Sequence, residues 1–73
     1  MPKLPVLSGK EVIKKLANCG YLIIRQKGSH VRLINDDSSR KPITVPLHSE
    51  IKPGLLYRII KDAGISLEEF INL

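Results

Sequence analysis

The stretch "YLIIRQKGSHVRLIN", Tyr21 to Asn35, constrains the fold more than any other part of the chain. Two runs rich in β-formers are separated by two residues, Gly28 and Ser29. So short a linker between strands leaves a tight antiparallel hairpin, and Gly in first place suits a type II′ turn. The turn fixes a register. Lys27 is expected opposite His30, Gln26 opposite Val31 and Arg25 opposite Arg32, then Ile24 opposite Leu33 and Ile23 opposite Ile34. Side chains alternate across a sheet. One face then carries Leu22, Ile24, Val31 and Leu33, a core surface. The other carries Arg25, Lys27, His30 and Arg32, with Ile23 and Ile34 further from the turn.

The flanking segments supply helices and a third strand. Residues 1–7, "MPKLPVL", hold two prolines and read as an extended lead-in. "SGKE" fits a capping box, with the Ser8 hydroxyl on a backbone N–H and Glu11 reaching back. Val12, Ile13, Leu16 and Cys19 follow at helical spacing, and Gly20 suits a left-handed stop, which predicts a helix over 9–19. "NDDSSR" is a polar turn, and "KPITVP" is a third strand whose prolines mark it as an edge. Pro53 suits a helix start, Leu55, Leu56, Ile59 and Ile60 form an apolar stripe, and Gly64 ends that helix. Ser66 and Glu69 form a second capping box before a short terminal helix. The order α-β-β-β-α gives a two-layer α+β domain, with an antiparallel three-stranded sheet and helices on one face. This is the order of a double-stranded-RNA-binding domain.

With 73 residues there is room for one small domain over 1–73, with modest burial and marginal stability. The single cysteine, Cys19, excludes an internal disulfide and a cysteine-based zinc site, and suits a reducing cytoplasm. The N-terminal segment lacks the apolar run of a signal peptide, and no segment approaches a membrane span. Twelve Lys and Arg against seven Asp and Glu give a net charge of +5, a field that favours polyanions.

The basic hairpin face concentrates that charge. Arg25 opposite Arg32 is a like-charge pair that works mildly against stability. Either these side chains splay into water, where salt screens them, or they bind phosphate. An imidazole among such cations has what a metal-free ribonuclease needs. His30 can take the proton of a ribose 2′-OH, while Arg25, Lys27 or Arg32 stabilises charge developing on the phosphate. The alternative is a passive turn histidine or a simple phosphate contact. His48 is the only other imidazole, and its loop position suits a local structural role as well as a second acid or base. Cys19, His30 and His48 lack zinc-site spacing, and Asp36 and Asp37 read as turn residues. Ser29 has no Asp-backed histidine to activate it. Tyr21 and Tyr57 are stacking candidates that also suit half-buried positions.

The chain resembles the HicA-type (YcfA-like) toxins, the small mRNA-cleaving partners of HicB antitoxins, over about Ser8 to Leu73. The matching pieces are "SGKEVIKKL", "GY" at 20–21, "RQKGSH" at 25–30, "ITVPLH" at 43–48, "IKPGLL" at 51–56 and "IIKDAGIS" at 59–66. Their order and spacing carry the resemblance. It implies a double-stranded-RNA-binding-like fold, ribonuclease activity on mRNA with no cofactor or required metal, and neutralisation by a HicB-type antitoxin. The family's catalytic histidine lies in a Gly-Ser-His motif and maps onto His30, with Gly28 and Ser29 as the turn that presents it. Val45 and Pro46 match the third-strand motif, and His48 a histidine often found nearby, with no role carried over. Members often place a histidine or aromatic residue soon after the motif histidine. Here Val31, Arg32 and Leu33 follow, so no stacking from strand two is implied.

The expectation is therefore an endoribonuclease toxin of the cytoplasm. His30 would be catalytic, Arg25, Lys27, Ser29 and Arg32 would bind RNA phosphate, and His48 would be a possible accessory residue. The rivals are an RNA-binding module without chemistry and a pure protein-interaction domain.

Overall fold

Three helix boundaries follow from local chemistry. The computed structural model describes residues 3–73, so Met1 and Pro2 of the expected lead-in lie outside the described residues. Helix α1 spans Gly9–Ala17. The Ser8 hydroxyl accepts from the Glu11 N–H at 3.2 Å, and the Glu11 carboxylate accepts from the Ser8 N–H at 3.0 Å, which closes the expected capping box. Helix α2 spans Pro53–Ala63, with Pro53 in the first turn and Gly64 left-handed at φ 72° behind it. Helix α3, Leu67–Ile71, repeats the capping box through Ser66 and Glu69.

Strands β1 (Tyr21–Lys27), β2 (His30–Asn35) and β3 (Ile43–Pro46) form one antiparallel sheet in the order β1-β2-β3. Helix α1 packs on β1 and β3, and α2 on β3. The result is the α+β arrangement of a double-stranded-RNA-binding-like domain. The core joins Val31, Leu33, Ile43 and Val45 from the sheet to Val12, Leu16, Leu56, Ile59, Ile60 and Phe70 from the helices. No helix among the described residues is long and apolar enough to cross a membrane.

The hairpin departs from the expected register halfway along. Lys27 pairs with His30, Gln26 with Val31 and Arg25 with Arg32, as the turn dictates. Ile24 then has no partner, and Ile23 pairs with Leu33, Leu22 with Ile34 and Tyr21 with Asn35. One extra residue on β1 makes a bulge, and everything before it changes face. The expected Ile24–Leu33 and Ile23–Ile34 pairs are absent. Leu22 and Ile24 are not core residues: they are 61% and 54% exposed, while Tyr21 is buried at 1%. The shift puts the larger, aromatic side chain into the core in place of Leu22. Its hydroxyl then donates to the Lys41 carbonyl at 2.8 Å, so the buried polar end is satisfied. Burial also pushes the Tyr21 pKa up. Of the two positions open to Tyr21, stacking candidate or covered residue, the structure has the covered one, and its ring is not offered for stacking.

Loops and helix ends are tied by side chains. Asp37 accepts from the Ser39 N–H at 2.9 Å and pairs with Arg40 at 3.5 Å, which is the turn chemistry expected of "NDDSSR". Arg40 reaches on to the Ala63 carbonyl near the end of α2 at 2.7 Å. Lys15 of α1 donates to the Ile71 and Leu73 carbonyls and sits 5.7 Å from the centre of the Phe70 ring, which fastens α3 to α1.

The start of α1 meets the end of β3 with no room between them. The Gly9 N–H donates to the His48 carbonyl at 2.9 Å, and a Cβ on Gly9 would run into the Pro46 carbonyl oxygen. Gly9→Ala is therefore expected to lower stability by about 1–3 kcal/mol through forced displacement of backbone. Thermal unfolding should show a fall of roughly 4–8 °C for each kcal/mol. An unchanged midpoint would contradict the close approach.

The Ser8 backbone N–H, with help from its hydroxyl, holds the Glu11 carboxyl below the usual carboxylate range. A group with a depressed folded pKa stabilises above its unfolded pKa and loses that stabilisation as pH falls through the folded value. Acidification is expected to loosen α1, and Glu11→Gln should remove this part of the acid dependence. Helicity measured across an acid titration of both proteins checks it.

Candidate functional site

The turn that presents the basic face is built as its residues demand. Gly28 has φ 59°, and no non-glycine among the described residues has positive φ, which is the sign pattern of a type II′ turn. The Gln26 side-chain amide donates to the Gly28 carbonyl at 3.0 Å, and the Ser29 carbonyl accepts from the Leu47 N–H at 2.6 Å. The turn is thus held from β1 on one side and from the end of β3 on the other.

His30 is the first residue of β2, paired with Lys27 on one side and Pro46 on the other. Val31 and Leu33 point into the core, so the parity of β2 sends His30 and Arg32 to the open face. Arg25, Lys27, His30, Arg32 and Thr44 line one open concavity there. The four expected basic and imidazole side chains are brought together, and all but the half-buried Arg32 are exposed.

Thr44 is the residue that sequence reasoning missed. It pairs with Arg32 across β2 and β3, and its hydroxyl accepts from Arg32 Nη1 at 2.9 Å. A signal was present, since Thr44 is the polar residue between Ile43 and Val45 and must face away from the core. Its partner could not be named because the turn from Asp36 to Pro42 sets no register.

Ser29 and His48 fall outside this lining. Ser29 enters the site through its backbone, by the bond to Leu47. His48 is exposed in the loop after β3, and its carbonyl receives the Gly9 N–H. Tyr57 is exposed on α2 and also lies outside the lining.

Among the described residues the one ion pair is Arg40 with Asp37, so Arg25, Lys27 and Arg32 carry no carboxylate partner. No three His, Cys, Asp or Glu side chains among the described residues gather as metal ligands. Cys19 sits apart from the concavity, its thiol donating to the Leu16 carbonyl at 3.2 Å, and burial pushes its pKa up. Three unpaired cations around an imidazole, on a face the helices leave open, suit a phosphodiester backbone.

A family model described as the HicA toxin of bacterial toxin–antitoxin systems matches residues 9–65. The chain belongs to the HicA toxin family. A solved chain from a toxin–antitoxin complex of Streptococcus pneumoniae is similar to this HicA-family chain at 33% identity, with a TM-score of 0.67. The match covers 81% of this chain and 98% of that one. No curated protein matches. The matched family region contains every residue of the concavity, from Arg25 to Thr44.

The Arg25–Arg32 pair gives a test of whether the face is kept for binding rather than for stability. Arg25→Thr is expected to raise stability by roughly 0.2–1 kcal/mol at low salt, through relief of like-charge repulsion. The gain should shrink as salt screens the pair. Urea unfolding at two ionic strengths measures it, and a destabilised variant at low salt would contradict it.

Proposed function

We propose that the chain is an endoribonuclease toxin that cleaves mRNA at the concavity around His30. The observation that carries the reading is that one open face gathers an imidazole, three cations without carboxylate partners and a threonine hydroxyl. Membership of the HicA toxin family supports it.

In this reading an RNA phosphate lies against Arg25, Lys27 and Arg32, and Thr44 holds the Arg32 guanidinium in place. His30 takes the proton from the 2′-OH of the preceding ribose. The 2′ oxygen then bonds to phosphorus, and the phosphorus bond to the 5′ oxygen breaks. Charge on the non-bridging oxygens is met by the cations. The leaving 5′ oxygen takes a proton from water and the His30 imidazolium returns its proton to the hydroxide formed, which gives a 2′,3′-cyclic phosphate end, a 5′-hydroxyl end and the starting imidazole. DNA lacks the attacking group and is no substrate. Gly28 and Ser29 act by presenting His30. Ser29 is a positioning residue through its backbone, and His48 has no assigned step.

The partner in this reading is a HicB-type antitoxin that silences the toxin by covering the basic face, in the cytoplasm where mRNA is found. The similar solved chain comes from a toxin–antitoxin complex, which supports such a partner.

One observation favours an RNA-binding module without chemistry. Among the described residues no group hydrogen-bonds the His30 side chain to orient it. The two readings separate on a single variant. Wild type is expected to cut RNA in EDTA, and His30→Ala to bind RNA while cutting about 10²–10⁴-fold more slowly, the range for losing one general acid–base group. Gel analysis of cleavage, with filter binding in parallel, measures both. Equal cutting by the two proteins would remove His30 from the mechanism, and RNA binding without cutting by wild type would establish the binding module.

A further inference from the structure

Strand β1 is an edge, bonded to β2 alone, and no backbone hydrogen bond among the described residues closes its outer side. Open edges are normally blunted by prolines, charges or bulges. The opposite edge, β3, is bracketed by Pro42 and Pro46. On β1 the charges Arg25 and Lys27 guard the half near the turn. The other half carries Leu22, Ile23 and Ile24, which are 61%, 58% and 54% exposed, with Ile34 36% exposed beside Leu22. Ile23 shares the face of its partner Leu33 yet stays exposed at the rim of the sheet, and the bulge leaves Leu22 and Ile24 outside the core, which is complete without them.

We infer that the outer edge of β1 is the docking rail for the antitoxin, which adds an antiparallel strand there. The inference rests on the toxin reading above. Strand addition suits an edge that exposes aliphatic side chains together with its unpaired backbone. The charge pattern states what the added strand must be. Its first half lies against Lys27 and Arg25 and is acidic; its second half lies against Ile24, Ile23 and Leu22 and is apolar. A second copy of this chain is the poorer occupant, because each copy carries a net charge of +5. The rail is continuous with the site, since Arg25 and Lys27 belong both to β1 and to the concavity. A strand seated on the apolar half thus brings its acidic half to the rim of the RNA-binding face.

The test uses the full chain co-expressed with a HicB-type antitoxin. Hydrogen exchange of the complex is expected to slow those amides of Leu22–Lys27 that point away from β2 by at least about tenfold relative to the free chain. The double variant Leu22→Lys, Ile24→Lys is expected to bind that protein about 100-fold more weakly by calorimetry, about tenfold for each aliphatic side chain replaced. It should keep its thermal midpoint and its cutting of RNA, and His30→Ala should bind the antitoxin as wild type does. Unchanged affinity in the double variant overturns the inference. So does weakened affinity without slowed exchange in β1, or no binding by that antitoxin. A dimer of the free chain that the double variant dissolves, seen by sedimentation, would assign the edge to a second copy instead. If wild type fails to cut RNA, the ribonuclease reading falls while the exchange and calorimetry still decide the rail.

Discussion

Strand β2 is bonded on both sides, and the parity of its side chains organises everything around it. Val31 and Leu33 meet Val45 and Ile43 on one face and receive the helices there. His30 and Arg32 are thereby committed to the other. That parity is set at one place, the two-residue turn at Gly28 and Ser29, which pairs Lys27 with His30. A slip of one residue would bury an imidazole and a guanidinium and expose two aliphatic side chains. Core and site are therefore two outcomes of one register.

Much of this was legible because it is local. The capping boxes at Ser8 and Ser66, Pro53 and Gly64 at the ends of α2, and the pairing from Lys27 to Arg25 depend on neighbours within a few residues. The concavity followed from the turn and the alternation it imposes. The bulge was not legible, because it settles a contest between Tyr21 and Leu22 for one core position. That contest depends on the room beneath the sheet and on the Lys41 carbonyl twenty residues away. Thr44 escaped for a related reason, since the β2–β3 connection is a polar loop that names no register.

The chemistry assigned to the concavity has a different footing. Spacing alone left the basic face divided between solvated charges, phosphate binding and catalysis. The Gly-Ser-His motif and the matched HicA region weigh toward the last. The fold adds the exposed position of His30, the three unpaired cations and the Arg32–Thr44 bond. The bulge has a second effect. The same insertion that draws Tyr21 inward leaves an apolar half on β1, so packing and the exposed apolar edge share one cause.

The bond from the Leu47 N–H to the Ser29 carbonyl at 2.6 Å has a regulatory meaning on the reading proposed here. It joins the histidine-bearing turn to the exit of β3, and the Gly9 bond to His48 joins that exit to α1. The turn is built into the frame, so the backbone that carries His30 is held in place by the fold itself. An endoribonuclease built this way would have that backbone in place whenever it is folded. Its activity in a cell would then be governed by stoichiometry, the number of toxin chains left without a partner, rather than by any change of shape.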